Sequence, residues 1–158
     1  ASAVLGTGRA SRLYRSLVRE RREAKDVTSM AFPLTAGAGI LLLWATGFPD
    51  GDPVALEAAL SREVEALATV RQNEIERAVS VTETHLVREI EQVGQRADLL
   101  SMFDQLFDDP SRINKEIGRM REVSPKDVST FSEDFLGTDN RAVLTYVPGN
   151  SKVVGESS

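Results

Sequence analysis

Three times the sequence sets a short capping side chain directly before proline: Asp52-Pro53, Asp109-Pro110 and Ser124-Pro125. An Asp or Ser at the N-cap accepts hydrogen bonds from the free N–H groups of the first turn, and proline at N1 lacks an N–H that would go unpaired there. Each pair predicts a helix start, and together they commit most of the chain beyond residue 52 to helices. The apolar spacing agrees. Leu56, Leu60, Val64 and Leu67 recur at helical intervals after the first start. Residues 71–107 form one long helical region whose apolar positions include Ile75, Val79, Leu86, Ile90, Val93, Ala97, Leu100, Phe103 and Phe107. A break is expected near Gly94, because glycine weakens a helix interior by about 1 kcal/mol relative to alanine. Ile113, Ile117 and Met120 make the buried stripe of the helix opened at Asp109. Val128, Phe131, Phe135 and Leu136 make that of the last helix, with Gly137 at its C′ position.

Upstream the pattern changes. A first helix carries Leu13, Leu17 and Val18 on one side and arginines on the other, and is expected to end near Arg22 or Glu23. Residues 25–34 alternate as a strand, with Val27, Ser29 and Ala31 on one face and Thr28, Met30 and Phe32 on the other. After turn residues at 35–39, residues 40–48 make a second strand. Its near-continuous apolar run predicts burial on both faces over part of its length, in an antiparallel hairpin with the first. Residues 141–147 predict a last strand, stopped by Pro148-Gly149. The layout is α+β, with helices packed on one face of a mainly antiparallel sheet. It predicts a single domain over 1–148 and a polar tail over 149–158. Three strands make a thin sheet whose edges need cover, so self-association is expected.

Hydrophobic residues make up 41% of the 158 and charged residues 27%, enough apolar material for one core. Cysteine is absent, which excludes disulfides, thiolate metal sites and a thiol nucleophile. That absence fits a reducing compartment, so a cytoplasmic location is expected. The longest apolar stretch, 36–48, is too short and glycine-rich to span a bilayer, and no membrane partner is expected. Residues 1–8 have neither the basic lead nor the apolar run of a signal peptide, and the chain does not begin with Met. Residues 9–25 hold seven basic side chains against Glu20 and Glu23, in a chain of net charge −5. Without regular aromatic interleaving, this patch is expected to be a solvated face or a contact for acidic groups rather than a nucleic-acid surface.

Chemistry-bearing constellations are sparse. The one histidine, His85, shares a helix face with Glu89, but the sequence contains neither H-E-x-x-H nor H-x-x-E-H. A hydrolytic zinc needs more imidazoles than one, so His85 is expected at the surface and not as a ligand. Glu63/Glu65 and Glu74/Glu76 are two apart and point to different sides of a helix. No G-x-S-x-G elbow is present. Gly6-Thr7-Gly8 precedes a helix and invites a phosphate-loop reading, but it lacks the Gly-Lys-Ser/Thr ending and follows no strand. The competing expectation is a helix kink or restart at which two backbones approach closely.

The run LGTGRASRLYRSLVRERREAKDV, residues 5–27, resembles the stretch of pitrilysin-type peptidase domains that carries Leu-Gly-Gly-Gly, Ser-Arg-Leu-Tyr/Phe and Leu-Arg-Glu before a strand. The matching residues are Leu5, Gly6, Gly8, Ser11, Arg12, Leu13, Tyr14, Leu17, Arg19 and Glu20. Glu65-Ala66-Leu67, then Asn73–Ala78, then Val123–Val128, then Asn140–Pro148 follow in the family's order. The resemblance implies one half of a pitrilysin-, insulysin- or mitochondrial processing peptidase-like zinc metallopeptidase unit, incomplete at its N-terminus. In such units one half carries the inverted zinc motif and the other binds substrate without metal. Lacking the motif, this chain is similar to the zinc-free half. The implied partners are a zinc-bearing half or subunit and a peptide substrate, with zinc only in that partner. The resemblance also assigns substrate-backbone contacts to an arginine, matched by Arg19, and to a tyrosine seven residues on, where this chain has Asp26. A carboxylate accepts hydrogen bonds and cannot donate to a carbonyl as a phenol does. Asp26 fits an exposed ion pair with Arg19 instead, and with it the alternative of a catalytically silent homologue acting as a structural or assembly subunit. No catalytic residue is expected in the chain itself.

Overall fold

One close approach at the start of the chain sets the first helix against the hairpin. A computed structural model describes residues 1–33 and 39–147. Most of the expected turn at 35–39, the Pro148-Gly149 stop and the tail 149–158 lie outside the described residues. Helix α1 (Ser2–Gly6) buries Val4 and Leu5 and ends in Gly6, which lies against the backbone of Thr28 and Ser29. A Cβ on residue 6 would overlap Ser29, so only glycine lets this helix end approach the strand so closely. Gly8 then turns with φ +80°, and the helix restarts. The close-approach reading of Gly6-Thr7-Gly8 is the one the structure bears out.

The restarted helix is unusual. Tyr14–Glu20 is π-helical, with the Arg21 N–H donating to the Ser16 carbonyl at 2.9 Å, and it buries Ser16 and Leu17. It leads into β1 (Ala24–Pro33), which pairs antiparallel with β2 (Gly39–Gly47). The register sets Thr28 opposite Trp44, Met30 opposite Leu42 and Phe32 opposite Ile40. Val27 and Ser29 are buried, while Leu41, Leu43 and Ala45 pack against the core from β2. The expected alternation of β1 holds. The expected two-faced burial of β2 does not, because Ile40, Leu42 and Trp44 face outward and no element among the described residues covers them.

Helix α2 (Pro53–Glu65) starts as expected, Asp52 accepting from the Val54 N–H at 2.9 Å, and a 3₁₀ turn (Ala66–Thr69) extends it. Replacing Asp52 with alanine removes this cap from an exposed helix end. The expected loss is about 1 kcal/mol, read as a lower urea midpoint with unchanged slope. The long helical region divides into α3 (Gln72–Glu91) and α4 (Val93–Phe107). The break falls on extended Gln92, two residues before Gly94, which sits in the first turn of α4. Asp109 caps a 3₁₀ turn (Pro110–Asn114) rather than a continuous helix, and α5 (Glu116–Arg121) follows it. Ile113 is buried, while Ile117 and Met120 are only half-buried. Ser124 and Asp127 form a reciprocal capping box at α6 (Pro125–Phe135).

Three expectations at the C-terminal end are corrected. Phe131 and Phe135 do not point inward. They pack on each other, ring centroids 5.3 Å apart, on the exposed side of α6; Val128 is buried as expected, and Ser132 is buried where the phenylalanines were expected. Gly137 follows the helix end but has φ −61°, so no left-handed cap forms there. Residues 141–147 are no strand. The sheet of the described residues has two strands, and the 141–147 backbone joins neither. The fold remains α+β, with α1 and the π-helical segment on the inner face of an antiparallel hairpin and α3 packed on α1. Its core joins Leu5, Leu13, Leu17, Val27, Leu67, Ile75 and Val128.

Candidate functional site

Three backbone irregularities follow one another between Tyr14 and Asp26. The π-helix is the first. Arg22 is the second, a non-glycine residue at φ +54° in the left-handed region. The third is a β-bulge between Ala24 and Asp26, where Lys25 is the extra residue. π-Turns, left-handed non-glycine residues and bulges each re-aim side chains, and all three are enriched at functional sites. Here they bracket the two positions that the sequence nominates. Arg19 stands exposed in the last turn of the π-helix, and Asp26 stands exposed on β1 directly after the bulge.

The structure does not join those two residues. The expected ion pair between Arg19 and Asp26 is absent, since no charged atoms of the two come within 4 Å. Both side chains are solvated. Arg15 Nε lies 3.8 Å from Glu20 Oε1 in an exposed contact, and Lys25 Nζ sits 5.8 Å above the Phe48 ring. Glu23 is half-buried, and its Oε2 has no hydrogen-bond partner. The surface therefore offers guanidinium donors from Arg15, Arg19, Arg21 and Arg22, with Asp26 as an acceptor at its edge. It can hydrogen-bond backbone carbonyls or carboxylates but contains no nucleophile–base pair. Neither Arg22 nor the bulge has a glycine to mark it, so these irregularities gave no signal in the sequence.

The motif residues that are not exposed serve the scaffold. Arg12 Nε and Nη2 donate to the two Glu74 carboxylate oxygens at 2.6 and 2.7 Å, and Nη1 donates to the Ala66 carbonyl. The Arg71 N–H donates to Glu74 at 3.0 Å. The hydrogen bond from Arg12 is the main cause holding the Glu74 carboxyl down at about 2. Arg77 donates to the carbonyls of Ala3, Val4 and Thr7, closing the C-terminal end of α1, and burial lowers its pKa. Sequence reasoning missed both arginine clamps. The only sign of them was that Arg12 and Glu74 fall inside separate phrases of the family resemblance.

No zinc site fits these side chains. His85 is exposed on α3, as expected, and among the described residues no three His, Asp or Glu side chains converge to hold a metal. No helix of the described residues is long and apolar enough to cross a membrane.

An α+β half-domain with this hairpin, this kinked entry and this helix series has the fold of pitrilysin-like zinc-peptidase domains. The chain superimposes on the inactive peptidase domain of a candidate zinc protease from Bordetella parapertussis with a TM-score of 0.82 at 22% identity, over 96% of this chain and 82% of that one. A candidate zinc protease from Bordetella pertussis Tohama I gives 0.79 at 24% identity, over 94% and 81%. A protease from Helicobacter pylori gives 0.75 at 20% identity over 86% of this chain, which spans only 33% of that protein. No protein-family model matches the sequence, and none of the curated proteins does.

Proposed function

We propose that this chain is the non-catalytic, substrate-chamber half of a pitrilysin-like zinc metallopeptidase, working with a zinc-bearing half elsewhere in a longer chain or in a partner subunit. The observation that carries the reading is the likeness, over nearly the whole chain, to a domain described as an inactive peptidase domain, in a chain whose described residues gather no metal site. The zinc and the hydrolytic step belong to the partner half. This chain contributes binding. Arg19, held out from the π-helix, donates to the carbonyl oxygens of a bound peptide, and Asp26 accepts from its N–H groups or from a basic side chain.

The test mixes the chain with its zinc-bearing counterpart and measures peptide cleavage. Arg19→Ala is expected to lower kcat/KM about tenfold or more, the loss of one hydrogen bond from a charged donor. Because Arg19 is exposed, stability should stay within about 0.5 kcal/mol of wild type. Failure of the two halves to associate, or cleavage indifferent to Arg19, would remove the reading. The second reading is a silent homologue acting as a structural or assembly subunit, favoured by Asp26 in place of a phenol donor. It predicts association with no change in cleavage on Arg19→Ala.

A further inference from the structure

The outer face of the hairpin is apolar and bare. Met30, Phe32, Ile40, Leu42 and Trp44 lie on it with relative exposures of 37–60%. α1 and the π-helical segment pack on the opposite face, and no element among the described residues covers this one. Large apolar side chains gathered on a surface in this way mark a place where something binds. Met, Phe and Trp are types that interfaces favour, and methionine adapts its shape to what it meets.

What lies at one end of this face points to its occupant. Side chains two apart on a strand share a face, so Asp26 stands in one row with Thr28, Met30 and Phe32. The register carries the pattern across the hairpin, with Asp26 opposite Thr46 and Thr28 opposite Trp44. Asp26, one of the two positions nominated for substrate contact, is therefore the first residue of the apolar face and not a separate surface. From Asp26 to Phe32 the strand runs about 20 Å at ~3.3 Å per residue, the reach of about six residues of extended peptide. No ionised side chain lies between Thr28 and Phe32 or between Ile40 and Thr46. A charged or strongly polar segment laid there would lose water without finding a partner, whereas an apolar one gains by displacing it.

Taking this chain as a substrate-binding half, we propose that the outer hairpin face selects the substrate, admitting peptides that are apolar next to the residues held at Arg19 and Asp26. Arg19 grips the peptide backbone, which every sequence offers. Trp44, Leu42 and Met30, and beyond them Phe32 and Ile40, receive the side chains that follow. The arginine contributes affinity, and the hairpin contributes preference.

Trp44 is the single tryptophan and lies on this face, so its emission reports occupancy directly. The purified chain is titrated with two blocked, uncharged, tryptophan-free peptides of about ten residues, long enough to span the face. One alternates leucine with serine at its centre, and the other has threonine for each leucine. The expected result is a saturable blue shift, with the leucine peptide bound about tenfold or more tighter. Leu42→Lys and Met30→Lys should each abolish that preference while helical circular dichroism stays unchanged, because both side chains are exposed. Arg19→Ala should weaken both peptides by the same factor and leave the preference intact. Binding of neither peptide, equal affinity for the two, or a preference that survives both lysine variants would overturn the proposal. So would emission that shifts as the chain alone is concentrated and does not respond to peptide. The face would then belong to a second copy, a case that sedimentation velocity identifies. The titration needs no zinc-bearing half, so a missing preference leaves the peptidase reading standing, and failed assembly of the halves leaves the preference standing.

Discussion

Gly6→Ala is expected to destabilise the chain by about 3 kcal/mol, the upper end of the range for overpacking a buried site. The cost is this high because the new methyl would meet backbone rather than the end of a flexible side chain. Its nearest neighbours are the nitrogen and Cβ of Ser29 and the carbonyl carbon of Thr28. β1 cannot retreat, since its other side is hydrogen-bonded to β2 along the whole hairpin. α1 cannot retreat either. Val4 and Leu5 are 2% and 0% exposed, Arg77 holds its last carbonyls, and the Ser2 and Ser29 hydroxyls lie 2.9 Å apart. Gly8→Ala supplies the control. Residue 8 has open space around it but a φ of +80°, so alanine there should cost only backbone strain, about 1 kcal/mol. Urea unfolding followed by circular dichroism reads both. A Gly6→Ala loss no larger than that of Gly8→Ala would mean that α1 does not lie against β1 as described.

That pairing of glycines shows what the sequence made legible. The phrases resembling the pitrilysin-type family are largely scaffold residues: Leu5, Gly6, Ser11, Arg12, Leu13 and Leu17 are all buried. They identify the fold because they build its tightest contact. The capping pairs gave the starts of α2 and α6 directly, since an N-cap is a local contract between one side chain and two or three N–H groups. Where the outcome depends on a distant partner, the local pattern was silent or misleading. An apolar run as long as β2 looks the same whether one face or two are covered, and only the tertiary structure shows Ile40, Leu42 and Trp44 bare. Residues 141–147 have the composition of a strand, but a strand exists only where another offers it hydrogen bonds. In α6 the spacing of Phe131 and Phe135 fits a buried stripe, yet Val128 and Ser132 share a face as well, and it is their face that meets the core. The candidate site was legible as residues, Arg19 and Asp26. Its geometry was not, because a π-turn, a left-handed arginine and a bulge are backbone events without a residue signature here.

The second large effect is expected at Arg12. Its guanidinium crosses from the restarted helix to bind both oxygens of Glu74 on α3 and the carbonyl of Ala66 in the 3₁₀ turn. The two side chains are 10% and 16% exposed. Arg12→Ala leaves a nearly buried carboxylate without its cation, with only the Arg71 N–H to donate to it, and takes one donor from the Ala66 carbonyl, which keeps Thr69 Oγ1. The expected loss is about 3 kcal/mol, the lower end for breaking a buried pair because some solvent reaches this one. Glu74→Gln should cost less, since the amide oxygen still accepts one hydrogen bond. The pH dependence separates charge from packing. Glu74 sits at about 2 in the folded chain against an ordinary 4.5, so the unfolded state takes up its proton first as the pH falls. The pair's contribution is complete above about pH 4.5 and declines as the pH drops toward 2, by about 2 kcal/mol once screening of the partly exposed carboxylate is allowed for. Glu74→Gln carries no such proton. Its stability deficit relative to wild type should therefore be constant from pH 7 to 5 and shrink by that amount between pH 4.5 and 2. If the deficit were the same at pH 2.5 as at pH 6, Arg12 would be holding Glu74 by shape and not by charge, and the ion pair would not be what fastens the restarted helix to α3.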